Sequence, residues 1–344
     1  MLAKPGLELI RSSQMNLGWY MRIFFLSILL TSNCFGLTKV ILGASPALSS
    51  AGIYIAQEKG FFKDAGLEVE ITVMPNSTSQ MVTLLSNNKL QVAAGNVTAG
   101  LYNAFSSGEK FKIVADKGHT SNETPYLWLI VKKELVDSGK IKSLKDLKGK
   151  KIGLPSIDGS SQQIVLDKML SSEGLTLKDV ELVKVGYPEV NLGLKNDLIQ
   201  AAIQLEPFLF TSTTENVAVK FASAQKFWPD QQSGVLIFSE EFAKQTVAAQ
   251  SFMNAYLKGI AEYNLALNDK KRWLEVSGLI NKYTKLDPEA TWSKLEPTGL
   301  ANSGQLNLIS MQNDLNWYFE NGFIKSKIDL KSVVESKFTD KVKK

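Results

Sequence analysis

One cysteine, Cys34, and one histidine, His119, stand in a chain of 344 residues. Thiol redox chemistry, disulfide frameworks and Cys/His metal centres need several such residues at set spacings, so the sequence predicts no resident metal and no redox cofactor. Arginine is nearly as scarce: of 39 basic residues only Arg11, Arg22 and Arg272 are arginines. The formal charge of +5 is carried by scattered lysines, which excludes the dense basic patch that nucleic-acid binding requires. No apolar run is long enough to span the ~30 Å hydrocarbon core of a bilayer as a helix. A Gly-x-Ser-x-Gly elbow is missing too, and nothing places an acid beside His119 to build a Ser-His-Asp set, so no catalytic residue is assigned.

The remaining composition, 44% hydrophobic and 21% charged with a mean hydropathy of −0.05, is that of a globular protein with about two domains. At the N-terminus, Met21-Arg22 precedes IFFLSILL (23–30) and then TSNCFG, the charged, apolar and small-residue order of a secretory leader. The leader is expected to occupy 1–36, with translation starting near 21 and cleavage after Gly36. It removes Lys4, Glu8, Arg11 and Arg22, which lowers the net charge from +5 to +3 and leaves no cysteine. Lipidation of Cys34 is the competing reading, although Asn33 stands where a small residue is expected. Either way the expected location is periplasmic.

From Thr38 short β-branched runs alternate with amphipathic helical stretches. The runs are KVILGAS (39–45), LEVEITVMP (67–75), LQVAAGN (90–96) and FKIVADK (111–117). After a lysine-rich bridge come KKIGLP (150–155), VELVKVG (180–186), AAIQL (201–205) and VAVKFA (217–222), with helices near 160–172, 190–199 and 207–215. This spacing predicts two α/β units with parallel sheets. Residues from Ser239 onward carry apolar positions at three- and four-residue spacing, a helical C-terminal segment punctuated at Asp287-Pro288 and Ser303-Gly304. YLWLIVKKE (126–134) and GVLIFSEEF (234–242) flank the second unit as extended segments. The chain is therefore expected to cross twice between lobes, with 37–130 plus 235–344 as lobe 1 and 131–234 as lobe 2.

Several segments carry a resemblance in their order: IYIAQEKGFF (53–62), AGLEVE (65–70), IKSLKDLKGKKIG (141–153), Gly159-Ser160-Ser161, Glu206-Pro207-Phe208 and WYFENGFI (317–324). Over 38–325 the chain resembles periplasmic substrate-binding proteins of ABC importers, in the branch that binds taurine, alkanesulfonates, nitrate and thiamine-pyrimidine precursors. The resemblance implies an α/β, two-lobed type II periplasmic binding protein fold, with two lobes joined by a two-strand hinge around a ligand cleft. It also implies a small-molecule ligand, an ABC permease of the inner membrane as partner, a monomer and no enzymatic activity.

In such sheets ligands sit beyond the carboxyl ends of strands. In lobe 1 this selects Ser49, Ser50, Asn76, Asn96, Thr98 and His119. In lobe 2 it selects Ser156, Gly159, Ser160 and Ser161, the Gly-Ser-Ser turn that family members place in the cleft. Plain N-capping uses the same residue types, and that alternative stays open. Glu206 is the remaining candidate, either accepting hydrogen bonds from a ligand amine or bracing the hinge; Leu205 stands where the family commonly has tryptophan. With Arg272 the sole arginine beyond the leader, a bidentate clamp on a carboxylate is not expected. A sulfonate, a nitrate-like anion or a nitrogen heterocycle fits better, with Lys117 or His119 as the cationic contact. Two alternatives accompany this reading. One is an enzyme of thiamine-pyrimidine metabolism on the same scaffold, although those relatives rely on a cysteine-rich iron motif that this chain lacks. The other is a sensor acting through a membrane receptor.

Overall fold

The computed structural model describes Met1 and residues 36–74, 78–121, 123–285, 288–291 and 294–340. The expected leader, Cys34 and Asn76 lie outside the described residues. Among the described residues ten strands form: β1 (Thr38–Ala44), β2 (Leu67–Val73), β3 (Val92–Asn96), β4 (Phe111–His119), β5 (Trp128–Lys132), β6 (Lys151–Leu154), β7 (Glu181–Lys184), β8 (Ala201–Gln204), β9 (Ala218–Ser223) and β10 (Gln232–Ser239). They make two five-stranded sheets of orders β2-β1-β3-β10-β4 and β7-β6-β8-β5-β9. β1 is parallel to β2 and β3, and β6 is parallel to β7 and β8.

The sheets are mixed rather than parallel. β10 runs antiparallel to β3 and β4, and β5 runs antiparallel to β8 and β9. These are the two strands entered directly after the chain changes sheet. Trp128 opens β5 opposite Gln204, the last residue of β8, and Gln232 opens β10 opposite His119, the last residue of β4. A strand that starts where its neighbours finish has to run against them.

The change of sheet also corrects the expected hinge. Trp128 to Ile130 already pair in the second sheet and Gln232 to Gly234 already pair in the first, so the crossings fall at 120–127 and 224–231 rather than at 130/131 and 234/235. Neither crossing contains a strand among the described residues. The first is irregular chain with Tyr126 at φ 54°, a left-handed conformation that breaks the ladder the apolar run YLWLIV suggests. The second is the short helix Ala224–Phe227 followed by a turn.

Helices cover both faces of each sheet. On the first sheet, Val40, Leu42 and Leu236 pack against helices Ala51–Glu58, Thr246–Ala266 and Lys270–Thr284. On its other face, Ala93, Ile113 and Val235 pack against Thr78–Ser86, Ala99–Ser106 and Leu308–Glu320. The C-terminal helices thus return to the first lobe. In the second lobe, Leu129, Val131 and Ile152 pack against helix Ser161–Ser171, and Ile130 and Ala202 pack against the helices Val190–Lys195 and Phe208–Thr214. Helix Thr246–Ala266 buries Phe252, Tyr256, Ile260 and Tyr263 at three- and four-residue spacing, the apolar stripe that makes it a core helix. The cores also borrow residues across the seam: Ala47 joins the second lobe's cluster, and Ile164, with the half-buried Leu177, joins the first's.

Candidate functional site

The carboxyl ends of β1, β2 and β3 face those of β6 and β7 across a cavity of about 160 Å³. From the first lobe it is lined by Ser45, Met74, Thr78, Ser79, Met81, Asn96 and Thr98, and from the second by Pro155, Ser156, Asp158, Ser160, Gln162, Lys184 and Tyr187. Two kinds of local structure bring the polar groups there. Ser45 and Lys184 sit where strands β1 and β7 end. Thr98 and Ser160 are N-caps, their hydroxyls accepting from Leu101 N at 3.1 Å and from Gln163 N at 3.2 Å. With helix Thr78–Ser86, three helix N-termini converge on one cavity, so partial positive charge and N–H groups meet there.

The seam beside the cavity is bonded shut. Ala99 N donates to the Gly159 carbonyl at 2.8 Å, and Thr98 and Ser160 form an antiparallel bridge. Gly159 has φ +84°, and a Cβ there would lie 2.6 Å from the Ala99 Cβ, so only glycine permits this approach. Farther out, Trp317 Nε1 donates to Asp167 Oδ2 at 2.8 Å. On the opposite side, Leu48 N donates to the Glu206 carbonyl at 3.0 Å, and Lys220 pairs with Glu296.

Of the residues selected from sequence, Asn96, Thr98, Ser156 and Ser160 line the cavity, and Gly159 forms the seam. Ser49 and Ser50 are fully buried beneath Ser45, and Ser161 is buried with its hydroxyl on Gln162 Oε1 at 3.3 Å; none of the three lines the cavity. Nor does His119. Its Nδ1 lies 3.0 Å from Asp116 Oδ2 and its main chain bridges Gly299. Burial opposes its protonation, but the hydrogen bond and charge of Asp116 prevail and raise the imidazole pKa. Glu206 is likewise turned away from the cavity: its carboxylate accepts from Glu296 N at 3.0 Å and Phe210 N at 2.9 Å. Burial pushes that carboxyl up to about 7 against those two bonds. Among the alternatives, bracing between lobes is the role this geometry favours. Arg272 is an exposed residue paired with Asp269, remote from the cleft as expected.

Gln162, Lys184 and Tyr187 were not selected from sequence. Gln162 Nε2 donates to the Tyr187 hydroxyl at 2.7 Å, and the Tyr187 ring stacks on Phe208 with centroids 6.1 Å apart. The carboxyl end of VELVKVG was signal enough to find Lys184, by the same rule applied to the other strands. Tyr187 follows it on a 3₁₀ turn opened by Gly186 and Pro188. The Ser160 hydroxyl is committed twice over, accepting from Gln163 N and donating to the Ser156 carbonyl at 3.0 Å, which leaves it unsuited to act as a nucleophile.

Comparison with known proteins agrees with this architecture. The sequence profile of the family described as NMT1/THI5 like matches residues 48–266. A Haemophilus influenzae protein named for thiamine biosynthesis is 31% identical over 194 residues, covering 56% of this chain and 53% of that protein. A 4-amino-5-hydroxymethyl-2-methylpyrimidine phosphate synthase of Aspergillus parasiticus is 29% identical over 156 residues, covering 45% of this chain and 42% of the synthase. The chain thus spans about half the length of these curated relatives. Among solved structures, the alkanesulfonate-binding protein of Xanthomonas axonopodis pv. citri bound to MOPS superposes with a TM-score of 0.69 at 15% identity, covering 87% of this chain and 98% of that one. At that identity the likeness concerns the fold.

Proposed function

The chain belongs to the NMT1/THI5-like family, and from that premise we propose that it is the extracytoplasmic ligand-binding component of an ABC importer. It captures a small polar molecule, a sulfonate, a nitrate-like anion or a nitrogen heterocycle, in the inter-lobe cleft and delivers it to a membrane permease. Asn96, Thr98, Ser156, Ser160, Gln162, Lys184 and Tyr187 are the proposed ligand contacts. The observation that carries the reading is a cavity to which both sheets contribute polar groups, beside a seam where the lobes touch through backbone. A ligand held by both sides stabilises the closed arrangement by its differential contacts, which is the state a permease would recognise. The alkanesulfonate-binding neighbour supports the same role.

A thermal-shift and calorimetric screen over taurine, alkanesulfonates, nitrate and aminopyrimidines tests it. At a hundredfold excess over Kd, a ligand of the native state adds about 2.7 kcal/mol of stability. An empty screen at millimolar concentration would overturn the reading.

The synthase relative favours a second reading, an enzyme that makes or modifies a pyrimidine. The doubly committed Ser160 hydroxyl and the placement of His119 outside the cavity weigh against it. Consumption of a screened ligand, followed by mass spectrometry, would establish it instead.

A further inference from the structure

Lys117, on β4, is 1% exposed, among the most deeply buried charged residues of the described chain. Among the described residues, the only hydrogen-bond partner of its ammonium is the Ser45 hydroxyl, at 3.4 Å. The neighbouring Asp116 does not serve it. The Asp116 carboxylate is taken by Gly118 N, His119 Nδ1, Gln232 Nε2 and Ala301 N at 2.7–3.0 Å. An ammonium without a counter-anion in such a place is costly to keep. Burial accordingly lowers its pKa to about 8, with the charge of Asp116 opposing.

Two more buried polar groups near β4 have no hydrogen-bond partner among the described residues. The Ser49 and Tyr126 hydroxyls lie near enough to influence one another, yet among the described residues neither has a hydrogen-bond partner of normal geometry. Both pack on Gly118, next to Lys117: a Cβ on that glycine would lie 3.1 Å from the Ser49 Cβ and from the Tyr126 ring. Lys117 reaches the cleft through Ser45, which lines the cavity and is held from behind by the Tyr54 hydroxyl on its carbonyl at 2.6 Å. An ammonium can only donate, so Ser45 Oγ is its acceptor, and the serine's own proton is left for Ser50 or for a group in the cavity.

We propose that Ser45, backed by the buried Lys117, is the anion-recognising end of the cleft, which makes the ligand a small molecule bearing an oxyanion group. This rests on the cleft being the ligand site. The ammonium acts on the anion through the serine, in a region shielded from solvent, where its charge is weakly screened. Lys184 reaches the cavity from the other lobe but is exposed, so its contribution should vanish in salt while that of Lys117 persists.

The test uses matched pairs differing in one charged group: an aminopyrimidine alcohol and its phosphate ester, and taurine and ethanolamine. The wild type is expected to bind the anionic member at least about tenfold more tightly, at both low and high salt. Lys117→Met should abolish that preference while leaving the neutral or cationic member unchanged, and should melt no lower than the wild type, because it replaces an uncompensated charge by an apolar chain. Ser45→Ala, which keeps the lysine, covers the case in which Lys117→Met does not fold, and should lose the preference in the same way. Equal binding within each pair, or a preference that survives both substitutions, overturns the anion site and leaves the cleft reading intact. If no member of any pair binds the wild type, the cleft reading itself falls and the anion site with it.

Discussion

Ala99 and Gly159 meet across the seam between the lobes, the amide of one donating to the carbonyl of the other at 2.8 Å. The contact depends on an absent side chain, since a Cβ at Gly159 would overlap Ala99 and also come within 3.0 Å of Phe323. Gly159→Ala is therefore expected to hold the lobes apart. The left-handed φ of +84° adds about 1 kcal/mol of strain. Small-angle scattering should report a more open average shape, and calorimetry at least about tenfold weaker ligand binding. A variant as closed and as tight-binding as the parent would show that this bond does not govern closure.

Two carboxyls buried between elements set a pH dependence. Burial raises Glu206 from 4.5 and Asp314 from 3.8, each to about 7, against hydrogen bonds from Glu296 N and Phe210 N in one case and from Trp228 and Gln231 in the other. Below the ordinary values both folded and unfolded chains are protonated, and the stability these groups permit is fully present. As pH climbs to about 7 the unfolded chain ionises first, so stability is lost at up to about 1.4 kcal/mol per pH unit per group. Glu206→Gln should flatten the profile between about pH 4.5 and 7, at a pH-independent cost of about 1 kcal/mol because an amide cannot accept at both positions. Denaturant midpoints measured across that range check it; an unaltered slope would place the titration elsewhere.

Gly259 and Gly52 lie where helix Thr246–Ala266 crosses helix Ala51–Glu58, and a Cβ at Gly259 would come 2.0 Å from the Gly52 carbonyl oxygen. Backbone cannot yield as a side-chain tip does. Gly259→Ala is expected to destabilise by about 2–3 kcal/mol. Gly278 in helix Lys270–Thr284 has nothing within 4 Å of its would-be Cβ, and Gly278→Ala should stabilise by about 0.5–1 kcal/mol. Chemical denaturation of the pair reads both signs, and a shift of the same sign in both would contradict the packing described.

Much of this arrangement was legible from residue order. Strands such as LEVEITV and VAAGN announce themselves by β-branched or small residues between helical stretches, and the rule that ligands sit beyond strand carboxyl ends leads to Asn96, Thr98, Ser156 and Ser160. What failed depended on partners distant in sequence. The main chain of His119 is drawn to Gly299 and Glu206 to the amide of Glu296, contacts that no local pattern encodes, whereas Asp116, the acid that pairs with the imidazole, stands only three residues away. The direction of β5 and β10 follows from where the chain re-enters a sheet, whereas their apolar runs read the same in either direction. Tyr126, continuous with an apolar run, ends it through a left-handed backbone that its side chain does not advertise.

Ser160 and Thr98 satisfy both descriptions available from sequence, since each caps a helix and lines the cavity. The two roles separate because alanine and glycine differ at an N-cap: alanine costs about 1 kcal/mol there and glycine only a few tenths. Both remove the hydroxyl. If Ser160 touches ligand, Ser160→Ala and Ser160→Gly should weaken binding by similar factors, of order tenfold, while only the alanine variant melts clearly lower. If Ser160 only caps, binding should track the melting temperature, the glycine variant staying near the parent in both. Thermal melts and calorimetry on the two variants decide the matter, and the same pair at Thr98 repeats the test from the opposite lobe.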